Sequence, residues 1–478
     1  MLIALRPKLV FFLSGLIVCL AFLSSAPTDP EARAGLADAG YNLFRRYVLG
    51  AVSTWDVLLA VLVALLFWSN LSTARPANLL SRFFSNRIVN LYFGMMALGI
   101  VVGVFVILTG QMQAFSIKDW VRSIIPVAYL FAVYFVVVNV VRTPQYLELI
   151  WKVLEWVAVA LVCYGFYRTY GVLTGNIRTL APGDIPIILY SEMVYFDLPV
   201  CVYCATVWSG RKLGLFRWIL MLCMVGFVLA STRRFNYIML AANILTTLVV
   251  AHRAGLFSYG KLILRSRYIV ACLVAFVALL LVKLPALVDG IWFAIQTINM
   301  FSEVGFQYTG EYRLLQIQNI FLNFMDRPVT LLTGFGIGSK WHAIEPLPTT
   351  TDTVGSFMAF DANVVAGGGD WLPFFHVPYF STLFRFGPVG MMVLFYIVRR
   401  LYLDFTGFIR TIDNQEHKII LVALASLSLM PVIVLGDTPS PVGYILMALN
   451  LGLIEGYRAW CRGGGDNGAH ASKEAACS

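Results

Sequence analysis

Apolar residues gather into twelve runs of spanning length. They lie near 9–25, 51–69, 89–109, 123–141, 149–167, 188–208, 217–230, 236–251, 269–287, 384–398, 419–435 and 442–457. About twenty apolar residues in helical conformation match the hydrocarbon thickness of a bilayer. The pattern therefore predicts an all-α integral membrane protein with about twelve transmembrane helices. The seventh run is short and ends in Ser231-Thr232-Arg233-Arg234. A tight turn must bring those two arginines to a membrane surface. Between the ninth and tenth runs the pattern breaks, and residues 288–383 form one long hydrophilic loop. The organisation read from this is nine helices over 1–287, the loop over 288–383, three helices over 384–458, and a polar, glycine-rich disordered tail over 459–478. No internal repeat is evident.

Charge sets the orientation. Of the 35 Lys and Arg residues, 21 fall in the short segments that face one side if the N-terminus, with Arg6 and Lys8, is inside. The remainder is spread over a larger outer surface that includes the long loop. Lys and Arg concentrate on the cytoplasmic side of membrane proteins, so both termini are expected inside and the long loop outside. The net charge of +10 is thus a topology signal, not a sign of a nucleic-acid partner. Composition agrees, with 59% hydrophobic and 13% charged residues, against about half and about a quarter in soluble domains. The first run has a signal-peptide alternative, because Ser24-Ser25-Ala26 resembles a small-residue cleavage site. Pro27 argues against cleavage, and the downstream orientation is the same either way.

All eight cysteines lie in apolar runs or in the tail, so no disulfide framework is expected. Cys201-x-x-Cys204 sits inside an apolar helix with no partner pair, where helix packing is the expected role. No cluster with metal-ligand spacing is visible.

The loop is where chemistry has room. It holds His342 and His376, while the other three histidines fall on the inner side. It also carries Arg313, Arg327 and Lys340, with aromatics including Trp341, Phe357, Trp371, Phe374, Phe375 and Tyr379. Aromatic faces among polar groups suit sugar stacking, and equally suit anchoring at a lipid interface. Over Glu311 to Met325, Leu314, Ile317, Phe321 and Phe324 recur at helical spacing, with Arg313, Gln316, Asn319 and Asn323 on the other side. This predicts an amphipathic helix lying on or dipping into the outer leaflet, ended by Pro328. Thr333-Gly334-Phe335-Gly336-Ile337-Gly338-Ser339-Lys340 fits neither a Rossmann nor a Walker spacing. A flexible turn is the expectation, with backbone N–H groups able to meet a phosphate. His376 falls just outside the tenth run. By default it is an interfacial polar residue, and Arg233-Arg234 a snorkelling pair. Charges at an outer membrane edge without acids nearby in sequence are also the usual mark of a site.

These features together resemble the O-antigen ligase and O-antigen polymerase superfamily of bacterial membrane glycosyltransferases. The resemblance rests on the twelve-span layout with a late external loop and on Ser231-Thr232-Arg233-Arg234 opening the eighth span. It rests also on Arg313 followed by a helix, a proline and Gly334-Phe335-Gly336-Ile337-Gly338. His376 ahead of a helix start with Gly387 and Gly390 completes it. The match covers roughly residues 225–400, and its order and spacing carry more weight than any single motif. It departs where the family often has a small polar residue after the histidine and this chain has Val377.

The resemblance implies a bacterial inner-membrane enzyme with its site on the periplasmic face. Its substrates would be an undecaprenyl-pyrophosphate-linked glycan and a sugar acceptor, with other polysaccharide export proteins as further partners. Arg233, Arg234 and Arg313 would hold the departing pyrophosphate, which gains charge as the glycosidic bond breaks. His376 would take the proton of the attacking hydroxyl. Transfer would be metal-independent, inverting, and without a cofactor or ATP. Polymerisation of repeat units is the leading expectation, and ligation to lipid A-core or another acceptor the next. A secondary transporter is the alternative from another class, kept open by Glu155, Glu192 and Asp197 in or near spans. Against it, the longest loop is external and late, and no two similar halves are found.

Overall fold

The computed structural model describes residues 47–49, 52–53, 57, 59–64, 66, 77–109, 117–141, 143–174, 194–230, 234–257, 267, 271, 274, 311–345, 371–372, 378–434 and 441–463. Within these the chain is mostly helical. The helices are α1 (Ala77–Phe83), α2 (Arg87–Leu108), α3 (Ile117–Val140), α4 (Pro144–Leu173), α5 (Val194–Ser209) and α6 (Leu215–Ala230). They continue with α7 (Arg234–Arg253), α8 (Glu311–Asp326), α9 (Thr330–Thr333), α10 (Pro378–Arg410), α11 (Gln415–Val434) and α12 (Pro441–Gly463). Two minimal antiparallel pairs accompany them: β1 (Tyr47–Leu49) with β2 (Val52–Ser53), and β3 (Trp341–His342) with β4 (Trp371–Leu372).

Three described stretches are long and apolar enough to cross a membrane: Arg87–Leu108, Pro144–Tyr167 and Phe380–Arg410. Helix α2 shows why. Asn86 caps it, its Oδ1 accepting from the N–H of Ile88 and Val89 at 2.9 and 3.3 Å. One face buries Val89, Tyr92, Phe93 and Met96, while Leu98, Val101 and Phe105 on the opposite face are more than 60% exposed. A helix apolar on both its packed and its open face suits lipid, not water.

The predicted runs from 89 to 251 each overlap a helix from α2 to α7, and the last three overlap α10 to α12. The first run lies outside the described residues, and only parts of the second and ninth lie within them. One boundary is corrected. The tenth run was expected over 384–398, but α10 starts at Pro378, ends at Arg410, and breaks at Gly387 (φ 68°, ψ 174°), next to Pro388. A straight helix of that length would overrun a bilayer. The break leaves Pro388–Arg410, about 34 Å of helix, which is long enough to cross.

Helices α3 and α12 pack more extensively than any other described pair. Gly452 and Gly456, four apart on α12, permit this: a Cβ there would lie 2.7 Å from Val137 Cβ and 2.8 Å from Val141 O. Small residues at this spacing let two helix backbones approach closely.

Polar contacts concentrate at one end of the bundle. Arg458 Nη1 donates to Asp404 Oδ2 at 2.6 Å and lies 3.0 Å from Glu455 Oε1. Asn86 Nδ2 donates to the same two carboxylate oxygens, at 3.1 and 2.8 Å. The Arg458 guanidinium also lies 4.7 Å from the centre of the Phe408 ring. Beside this cluster His417 bridges Glu148 (2.9 Å) and the Tyr457 hydroxyl (3.0 Å), and Arg211 pairs with Glu416 (2.8 Å). Segments that the Lys/Arg count assigns to one membrane face therefore do meet at one end of the bundle.

Arg458→Ala should destabilise the folded protein by about 3–5 kcal/mol, because it strands the buried Glu455 along with the half-buried Asp404. Arg211→Ala, at a mostly exposed pair, should cost less than about 1 kcal/mol. Unfolding in mixed micelles compares the two, and equal effects would refute this account of the cluster.

Candidate functional site

At the opposite end from that cluster, α8, the glycine-rich segment and the start of α10 pack into a second, smaller core. It contains Val106, Ile320, Phe324, Phe335, Trp341 and Phe384. Phe335 and Phe384 stack at 4.3 Å, and Phe324 completes the group at 5.6 and 6.1 Å.

Helix α8 forms where its spacing predicts, but its polar residues are buried with Ile320 and Phe324 while part of its apolar side is open. Gln316, Asn319 and Asn323 are buried, whereas Phe321 and Met325 are exposed, as are nearby Val329 and Leu332. The buried asparagines act as a short strand edge. Asn323 donates to His342 O (2.7 Å) and accepts from His342 N–H (3.1 Å). Asn319 does the same with Glu345, at 3.0 and 2.8 Å. Each amide matches a backbone donor and acceptor together, so polar side chains one turn apart line the inner face. The apolar outer face is the one suited to lipid.

The segment expected to be a flexible turn is not one. Residues 334–339 are buried and wedged between α2 and α10. Phe335 N–H donates to Phe384 O (2.9 Å), Gly336 N–H to Arg385 O (2.9 Å) and Ile337 N–H to Gly99 O (2.8 Å). Glycine is required by contact as well as by conformation. At Gly336, with φ 81°, a Cβ would fall 2.0 Å from Gly103 N. Gly99 and Gly103 form the matching groove on α2. Because their N–H groups are spent on neighbouring backbone, Phe335, Gly336 and Ile337 offer none to a phosphate.

The predicted site residues divide as follows. Arg313 stands on the first turn of α8, half-buried, and its Nε has no hydrogen-bond partner. Burial pulls its pKa below the usual arginine value, with no acid offsetting that effect. A cation at a helix N-terminus also opposes the helix dipole, so an anion would relieve both penalties. Arg234 begins α7, and only its backbone is described. Arg233 and His376 lie outside the described residues. His376 is two residues before Pro378, the first residue of α10.

Among the residues on which transport was kept open, Glu155 is engaged structurally. It accepts from Arg217 Nε at 2.7 Å and Nη2 at 3.2 Å, and from the Tyr203 hydroxyl at 2.7 Å. Asp197 is buried and accepts from Asn243 Nδ2 at 2.8 Å. Glu192 lies outside the described residues. Cys201 and Cys204 are buried in helix packing. No group of three or more His, Cys, Asp or Glu is gathered as a metal would need, among the described residues.

No family model matches the chain, and no curated protein matches it. The fold and the apolar helices define the class: a helical protein built to sit in a membrane.

Sequence reasoning passed over Asn319 and Asn323 as site-shaping residues, since two amides four apart look like a plain polar face. It also passed over Arg385, whose signal was a lone charge inside an apolar run.

Gly336→Ala should destabilise the protein by about 3 kcal/mol or more, combining left-handed strain with overpacking. Gly407→Ala, in a helix with nothing within 4 Å of the new methyl, should be neutral or stabilising by up to about 1 kcal/mol. Unfolding midpoints of the purified variants decide, and a tolerated Gly336→Ala would contradict the wedge.

Proposed function

We propose that the chain is a membrane glycosyltransferase of the O-antigen ligase and polymerase type. It transfers an undecaprenyl-pyrophosphate-linked glycan to a sugar acceptor at the periplasmic face of a bacterial inner membrane. It crosses that membrane about twelve times, with both termini in the cytoplasm. The observation that carries the proposal is Arg313: half-buried, its Nε unbonded, on a helix packed beside the start of α10 at the end of the bundle away from the charged cluster. That is where a departing pyrophosphate needs a cation.

In this reading Arg313, Arg233 and Arg234 hold the pyrophosphate. His376 accepts the proton of the acceptor hydroxyl as it attacks the anomeric carbon, and the carbon–oxygen bond to the pyrophosphate breaks with inversion. The energy of transfer is already stored in the donor, so no ATP site is called for. Polymerisation of exopolysaccharide or O-antigen repeat units is the preferred reaction, and ligation to lipid A-core the second. The bidentate engagement of Glu155 by Arg217 weakens the case for a transporter.

In a deletion strain of the source organism, wild type should restore long-chain surface polysaccharide. His376→Ala and Arg313→Ala, at equal membrane abundance, should not. Normal chain length from both variants would sink the assignment. The lipid-linked pool separates the two reactions: single repeat units accumulate without a polymerase, long undecaprenyl-linked chains without a ligase.

Topology has its own test. Alkaline phosphatase fused near residue 350 should be active, and fused after residue 478 inactive. The reverse pattern would invert the orientation.

A further inference from the structure

Three features stand outside the roles assigned so far: the Asp197–Asn243 pair, the exposed apolar face of α8 and α9, and a second buried arginine. The first is a hydrogen-bonded contact between packed helices and the second is what a lipid-facing surface requires. The third is not explained by packing.

Arg385 lies on α10, two residues before the Gly387 break, and is only 6% exposed. Its backbone carbonyl is taken by Gly336 N–H, which pins the residue beside the glycine wedge. Its guanidinium makes no hydrogen bond or ion pair among the described residues. One turn earlier on the same face, Ser381 is fully buried, and its hydroxyl also has no partner. Among the described side chains, the elements packed on α10 provide no acid at this end. Helices α2, α7 and α9 and the turn to Lys340 contain no Asp or Glu, and the only acid of α11 is Glu416 at its far end. On α8, Asp326 is mostly exposed and lies 3.4 Å from Arg327.

A guanidinium does not shed its charge in proteins. Buried without an anion, it destabilises the fold, and such a group inside a membrane protein ordinarily marks a ligand site. We infer that Arg385 and Ser381 form an anion subsite for a diphosphate group, on the α10 side of the site that Arg313 borders. The inference rests on the reading of that site as one for a lipid-linked diphosphate, and it adds a residue pair which that reading did not contain. Arg385 offers two parallel N–H groups to phosphate oxygens, and Ser381 adds one hydroxyl donor.

Full-length protein in lipid nanodiscs provides the test, with undecaprenyl pyrophosphate and inorganic pyrophosphate as separate probes. Arg385→Gln should weaken binding of undecaprenyl pyrophosphate by at least about 30-fold, and Arg385→Lys should fall between it and wild type. Ser381→Ala should weaken it by about fivefold. The ligand-free Arg385→Gln protein should melt at or above the wild-type temperature, because an uncompensated charge has been removed. Wild-type affinity in Arg385→Gln, or a lower ligand-free melting temperature, overturns the inference and makes Arg385 a structural residue. Tighter binding of the lipid-linked probe assigns the subsite to the lipid donor. Equal binding of both probes, lost in Arg385→Gln, assigns it to a free anion and still supports the subsite. If Arg385→Gln loses diphosphate binding while Arg313→Ala and His376→Ala leave chain length normal, the subsite stands and glycan transfer falls. If those two variants lose chain length while Arg385→Gln binds as wild type, the transfer reading stands and this inference falls.

Discussion

Burying Arg458 between helices of low polarity is tolerable because Asp404 and Glu455 lie 2.6 and 3.0 Å from it and Asn86 bonds both carboxylates. Three residues on two helices and one helix cap are engaged together, and none could be moved by a turn without stranding a charge. Asn86 is tied twice, since its oxygen caps α2 while its nitrogen reaches the acids. The cluster therefore fixes where α2 begins relative to the ends of α10 and α12. Through α2 and α10 that register carries to the other end of the bundle, where Gly99 and Gly103 must meet Ile337, and Gly334 must meet Arg385 and Phe386.

The two ends treat the same residue type in opposite ways. Arg458 has two carboxylates and an aromatic face, whereas Arg385, equally withdrawn from solvent, has no ionic partner among the described residues. Arg313 and Arg458 both leave Nε unbonded, but only Arg458 is paired with acids through its other nitrogens, among the described residues. Membrane interiors raise the penalty for unpaired polar groups, so a fold seldom keeps them without a use. One end reads as closed and structural. At the other, Arg313 and Arg385 have no acid partner and Ser381 no hydrogen-bond partner among the described side chains, the arrangement on which the proposed anion site rests.

Between those ends the backbone geometry is unusually exacting. The glycine wedge takes its hydrogen bonds from α2 and from the start of α10, next to the Gly387 break. The break lets α10 carry Ser381 and Arg385 on a short leading segment that is not collinear with its long crossing part. The Phe335–Phe384 stack and the Asn319 and Asn323 amides hold α8 against the same core. Arg313 and the start of α10 thus stand on elements locked to one another, although 65 positions of chain separate Arg313 from Pro378.

Helix positions were legible because an apolar run about twenty residues long has one stable form in a bilayer, so α2 through α7 and α10 through α12 fall where the pattern predicts. The amphipathic pattern of α8 and the concentration of chemistry in the loop were legible for the same reason, as was the shared end of the Lys/Arg-rich segments. What each face of α8 meets was not legible. Periodicity reports two faces but cannot say whether Asn319 and Asn323 see water or the backbone of residues 342–345. Nor could spacing distinguish a loose glycine turn from a wedge, since that depends on Gly103 lying 2.0 Å from where a Cβ of residue 336 would be. The partners of Arg458 and the solitude of Arg385 belong to the tertiary structure for the same physical reason. Local pattern governs hydrogen bonds within a helix, but whether a buried charge is satisfied depends also on groups carried by other helices, as Asp404 and Asn86 are for Arg458 and Glu455.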